Sequence, residues 1–128
     1  MLESGQSRED DTLTTGQEWL VDASGCTPER LKDRAALSGL FEELIVLLGL
    51  KVVAQPQWHV FPEPGGITGL ALLAESHLAI HTFPEHGFAA LNVYCCRTRP
   101  GPDFQSLVTR HLGASECRVR ELARGGKA

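Results

Sequence analysis

Leu37, Leu40, Phe41, Leu44 and Leu48 recur at three- and four-residue intervals, the spacing of one buried helix face. Ahead of them, Thr27 offers a hydroxyl for an N-cap, Pro28 suits a first helical position, and Glu29 favours the positive end of the helix dipole. Gly49 supplies the stop, so a single helix is predicted between Thr27 and Gly49. Residues 18–23 read as a first strand, ended by Ser24-Gly25. Residues 51–61 are extended but interrupted by Pro56, and a Pro/Gly-rich turn follows at 62–66. Residues 67–74, 78–82 and 88–96 read as strands, with residues 83–87 turning the chain back. Phe104, Leu107, Val108 and His111 mark one face of a second helix closed by Gly113, and residues 116–122 form a short last strand. The order implies an α+β fold: a two-layer sandwich whose antiparallel sheet carries two helices on one face. The other sheet face has no cover within the chain, which predicts dimerisation through it.

Residues 1–15 are polar, charged and poor in large apolar groups, and are predicted to be a disordered acidic tail ahead of one domain spanning 16–124. With 128 residues the chain has room for one ordinary domain. The net charge of −4 is unevenly spread. Residues 16–96 carry four basic and nine acidic side chains, whereas residues 97–128 carry seven basic and three acidic. No basic stripe is interleaved with aromatics, so nucleic acid is not an expected partner. No apolar run is long enough for a membrane span, and no basic segment followed by an apolar run opens the chain, so a cytoplasmic location is expected. Cys95 and Cys96 are adjacent and, with Cys26 and Cys117, match no zinc spacing; reduced thiols are expected.

The reactive side chains cluster. Glu75, Ser76, His77, His81, Glu85 and His86 fall within twelve residues, and Cys95 and Cys96 end the strand that returns. A hairpin turning near 85–87 brings Cys96 back beside Ser76 and can gather a serine, a histidine and a thiol in one place. Three readings of these residues compete. They are incidental polar groups on a sheet, a metal site using His77, His81, His86 and a cysteine, or a nucleophilic centre with Ser76 or Cys96 activated by His81. Neither H-E-x-x-H nor the G-x-S-x-G elbow is present.

The segment from Gly65 to Cys96, GGITGLALLAESHLAIHTFPEHGFAALNVYCC, resembles the processing region of the prokaryotic S-adenosylmethionine decarboxylase proenzymes. Their G-V-S-G turn, E-S-H-x-x-I-H-T-x-P-E string and D-V-Y-T-C-G strand end correspond here to Gly66-Ile67-Thr68-Gly69, Glu75-Ser76-His77 through Glu85, and Asn92-Val93-Tyr94-Cys95-Cys96. Gly16, Asp22, Gly25 and Cys26 resemble the family's first strand, and Trp58-His59-Val60-Phe61 its F-H-x-F. The resemblance implies that Ser76 attacks the Glu75 carbonyl and the chain cuts itself into 1–75 and 76–128. Ser76 then becomes a pyruvoyl group that forms a Schiff base with the substrate, with no metal or pyridoxal phosphate required. It further implies that His81 handles the processing proton, Thr68 assists it, and Cys96 is the proton donor in decarboxylation. Phe61 and Glu85 would contact substrate. The implied reaction converts S-adenosylmethionine to its decarboxylated form and CO2, supplying aminopropyl groups for spermidine synthesis, in a homodimer or larger assembly. Because Ser76 and His81 lie on opposite faces of a regular strand, a turn or bulge between them is predicted.

Four positions depart from the family pattern. Glu18 stands for His, Asn92 for Asp, Cys95 for Thr and Arg97 for Gly. Asn92 removes a negative charge and Arg97 adds a positive one, changes that bear on a sulfonium substrate. A pyruvoyl decarboxylase of arginine or ornithine, and a non-processing binding homologue, are the alternatives.

Overall fold

A computed structural model describes residues 14–125, with side chains from 15 onward. Residues 1–13 of the predicted acidic tail lie outside the described residues; Thr14 and Thr15 already belong to the first strand. Six strands form one antiparallel sheet: β1 (Thr14–Ser24), β2 (Gln57–Val60), β3 (Ile67–Leu73), β4 (Ser76–Phe83), β5 (Phe88–Cys95) and β6 (Glu116–Gly125), in the spatial order β2-β3-β4-β5-β1-β6. Three helices cover one face: α1 (Pro28–Leu31), α2 (Arg34–Leu48) and α3 (Phe104–Leu112).

Strand parity divides the sheet cleanly. One face aligns Trp19, Val93, Leu78 and Ala71 across four strands, and Val21, Leu91 and Ile80 in the next row; all are buried. Against them α2 lays Leu37, Leu40, Phe41, Leu44 and Leu48, the stripe its periodicity predicts. Phe41 meets Trp58 of β2 at 5.1 Å between ring centroids, and Phe104 of α3 meets Trp19 at 5.8 Å. Each such aromatic or leucine contributes about 1.5–3 kcal/mol when buried, so this layer fixes the register of every strand it touches. The opposite face carries Leu70, Leu72 and Leu122 in the open, among Glu18, His77, His81, Asn92 and Tyr94.

The single predicted first helix is two. The chain leaves helical geometry at Lys32-Asp33, and Asp33 restarts it, its carboxylate accepting the Ala35 N–H at 3.0 Å. Periodicity cannot register such a break, because the apolar stripe begins only at Leu37. Nor does the Thr27 hydroxyl cap α1. Thr27 is placed by its backbone, whose N–H donates to the Leu112 carbonyl at the end of α3 (2.9 Å). β6 is longer than predicted because it pairs with β1 along that strand's whole length.

Candidate active site

β4 and β5 form the hairpin that the sequence implied. A single 3-10 turn, Pro84–His86, and left-handed Gly87 reverse the chain, and Phe83 pairs with Phe88. From there the register runs unbroken to Ser76 opposite Cys95. The Ser76 side chain lies on the core face, 7% exposed. Its hydroxyl donates to the Tyr94 carbonyl at 2.5 Å and stands 3.7 Å from the Cys95 sulfur. Cys96, one residue beyond the strand, is exposed, and its backbone N–H donates to the carbonyl oxygen of Glu75 at 2.8 Å. The Glu75 carboxylate is gripped by Arg97, at 2.9 Å from Nε and 3.3 Å from Nη2.

His81 is not with them. It sits five residues along β4, opposite Thr68 on β3 and Ala90 on β5, on the open face. The pairing shows no bulge between Ser76 and His81, so the predicted irregularity is absent. An unbroken strand puts them about 17 Å apart, against the ~3 Å that direct proton transfer needs. The hairpin therefore gathers Ser76 with Cys96 and leaves His81 at its other end.

That other end has its own order. Thr68 Oγ1 and His81 Nδ1 are hydrogen-bonded at 3.0 Å across the strand pair. A hydroxyl that accepts from Nδ1 leaves Nε2 free as a base; one that donates leaves the proton on Nε2. Thr68 and His81 line a cleft of about 410 Å³ together with Phe61, Phe83 and Glu85. Phe61 is half-exposed there, edge-on to His59 at 4.5 Å. The floor is pinned by Thr82, whose buried hydroxyl donates to the Leu31 carbonyl (2.8 Å) and accepts from the Ile67 N–H (2.9 Å). His77 stacks on Tyr94 at 5.5 Å.

Two departures from the family pattern pair with each other, which no reading of single positions could reveal. Asn92 Nδ2 donates to Glu18 Oε2 at 2.7 Å, and Arg124 meets the other oxygen at 2.6 Å. The Asn92 bond leads in holding the Glu18 carboxyl below its ordinary range. Glu18 thus carries the negative charge that Asn92 lacks, and Glu75 offsets Arg97. The sequence marks Phe83 only as part of the turn and His59 only within the F-H-x-F string, and singles out neither as a site residue. Among the remaining thiols, burial pushes Cys26 up to about 11, away from reactivity.

The S-adenosylmethionine decarboxylase family model matches residues 17–125. The chain is 35% identical over 113 residues to S-adenosylmethionine decarboxylase proenzyme 2 of Halalkalibacterium halodurans, spanning 88% of this chain and 87% of that one. It is 34% identical to the S-adenosylmethionine decarboxylase proenzyme of Thermococcus kodakarensis, over 88% and 78% of the two chains. The crystal structure of the adenosylmethionine decarboxylase from Aquifex aeolicus superposes with a TM-score of 0.71 at 27% identity, covering 88% of this chain and 92% of that one.

Proposed function

The chain belongs to the S-adenosylmethionine decarboxylase family, and we propose that it cuts itself between Glu75 and Ser76 and then decarboxylates S-adenosylmethionine. The observation that carries this reading is the Glu75 carbonyl held by the Cys96 N–H, with the Ser76 hydroxyl on the next residue. Attack by Ser76 Oγ on that carbonyl carbon closes a five-membered ring. The charge that develops on the oxygen lies on a donor already in place. The peptide C–N bond breaks, its nitrogen takes a proton, and an ester remains. His81 then takes the Cα proton of residue 76, and the Glu75 carboxylate leaves with the Cβ–Oγ electron pair. One water releases the nitrogen as ammonia and leaves a pyruvoyl group at the head of the 76–128 chain. To begin, the hydroxyl must turn from the Tyr94 carbonyl.

Residue 76 suits that group. It opens β4 at the rim of the sheet, with exposed Glu75 before it and a small buried thiol, Cys95, beside it. The pyruvoyl carbonyl supplies an acceptor for the electron pair freed when the substrate carboxylate leaves as CO2. Cys96 holds the proton returned to the substrate α-carbon, a task suited to a thiol. Phe61 offers a half-exposed ring for the adenine, and Glu85 a carboxylate at the same cleft.

His81 and Thr68 must act on a residue about 17 Å away in their own chain. A homodimer resolves this. A two-fold axis across the strands, with the open sheet faces stacked, sets the Ser76 end of one β4 over the His81 end of the other; the Ser76 hydroxyl, on the core face of the uncut chain, has to turn round the rim of the sheet to meet it. Exposed Leu70, Leu72 and Leu122 supply apolar surface for that contact, with Leu70 and Leu72 about half open or more (49% and 59%). Each site then takes Ser76 and Cys96 from one copy, and Thr68, His81, Phe61 and Glu85 from the second. Among the described residues no helix is long and apolar enough to cross a membrane, and free thiols suit a reducing cytoplasm. The product is an aminopropyl donor for spermidine synthesis.

The test is release of labelled CO2 from carboxyl-labelled S-adenosylmethionine by purified protein, with labelled arginine and ornithine in parallel. Release from S-adenosylmethionine alone supports the reading. Release only from a free amino acid overturns the substrate while leaving self-cleavage standing.

A further inference from the structure

The scissile bond lies beside a second cleft, of about 320 Å³, whose lining includes Lys51, Ala74, Glu75, Arg97 and Arg99. Three cations therefore meet one carboxylate. Arg99 is the most enclosed of them. Its Nη1 caps the Leu48 carbonyl at the end of α2, its backbone N–H donates to Gln17 Oε1 at 2.9 Å, and its buried Nε has no hydrogen-bond partner among the described residues. A buried donor without a partner is costly, and a surplus of positive charge at a chain break invites an anion.

Self-cleavage, on the reading above, creates one there. When the Cβ–Oγ bond of residue 76 breaks, the electron pair leaves with the acyl group and Glu75 gains an α-carboxylate. The strand behind it stays anchored: Ala74 donates its N–H to the Lys51 carbonyl at 2.9 Å, and Leu73 is bridged to Val52. Only Glu75 is free to swing, through roughly one residue length of about 3.5 Å. We propose that the Lys51–Arg97–Arg99 cleft captures the new C-terminal carboxylate of Glu75, locking the spent chain end away from residue 76. Arg97, which holds the Glu75 side chain in the uncut protein, is the hinge of the capture.

Carboxypeptidase digestion of the native, processed protein reads this directly. Intact mass before digestion first reports whether the chain has been cut. An uncut chain overturns the self-cleavage reading, and this proposal with it. In cut protein the Glu75 end resists trimming. Arg97→Met and Lys51→Met release Glu75 at least ~10-fold faster, the loss of one charge-assisted bond, and Arg97→Lys stays protected. Fully cut protein in which wild type, Arg97→Met and Lys51→Met are trimmed at one rate overturns the capture and leaves the function intact. So does an Arg97→Lys protein trimmed as fast as Arg97→Met.

Discussion

The main-chain N–H of Cys96 points at the carbonyl oxygen of Glu75 from 2.8 Å, so the bond whose cutting is proposed meets a donor that Cys96→Ala leaves in place. The proposed function therefore gives the backbone and the thiol of one residue separable work. Cys96→Ala is expected to cut itself to completion while its turnover falls about 100- to 10,000-fold, the range for loss of a general acid. Intact mass and CO2 release on the same sample check this. An uncut Cys96→Ala chain would place the thiol in processing.

Sites shared between two copies predict complementation. His81→Ala alone stays uncut, and Ser76→Ala cannot be cut at all. Co-expressed, they form mixed dimers in which Ser76 of one faces His81 of the other, and roughly half of the His81→Ala chains are cut. A site built within one chain gives no cutting in the mixture. Mass spectrometry of differently tagged chains separates the two outcomes.

Glu18 and Asn92 form one unit. Asn92→Asp sets two carboxylates against each other where an amide now donates, and should lower Tm by roughly 3–6 °C. Adding Glu18→His supplies a partner for the new carboxylate and should recover most of that loss. Thermal melts of both single variants and the double variant measure the coupling, and additive effects would mean that the two positions are independent.

On the helical layer, Glu43 of α2 accepts from Arg110 (2.8 Å) and His111 (2.7 Å) of α3. The Arg110 bond, ahead of that from His111, holds the Glu43 carboxyl down at about 2, against 4.5 for the free group. Since the folded value is the lower one, this contribution is complete above pH 4.5 and is lost as the pH falls toward 2. Glu43→Gln should therefore flatten the decline of Tm between pH 4.5 and 2, leaving other carboxylates to account for what remains. An unchanged slope would show that the cluster adds nothing to stability.

What the sequence discloses follows from how local each feature is. The Leu37–Leu48 stripe, left-handed Gly49, Gly87 and Gly113, and the Phe83–Phe88 hairpin are set by neighbours a few residues apart, and all are legible. The hairpin register even delivers Cys96 to Glu75. Parity also stated correctly that Ser76 and His81 face opposite ways, and the inferred bulge came from requiring one chain to complete the site alone. Nothing in residues 76–81 supplies a bulge: no glycine interrupts the run, and β4 is paired on both sides. The Asn92–Glu18 bond and the Lys51–Arg97–Arg99 cleft join residues more than forty positions apart. Only the strand order brings them together, and no local pattern encodes it.

The most direct test of the whole account is the denaturing intact mass of freshly purified protein, with and without borohydride. The account predicts two chains of 75 and 53 residues, the shorter lacking its N-terminal amine and gaining two hydrogens on reduction. A single chain of 128 residues that persists through long incubation and does not change with borohydride would contradict it.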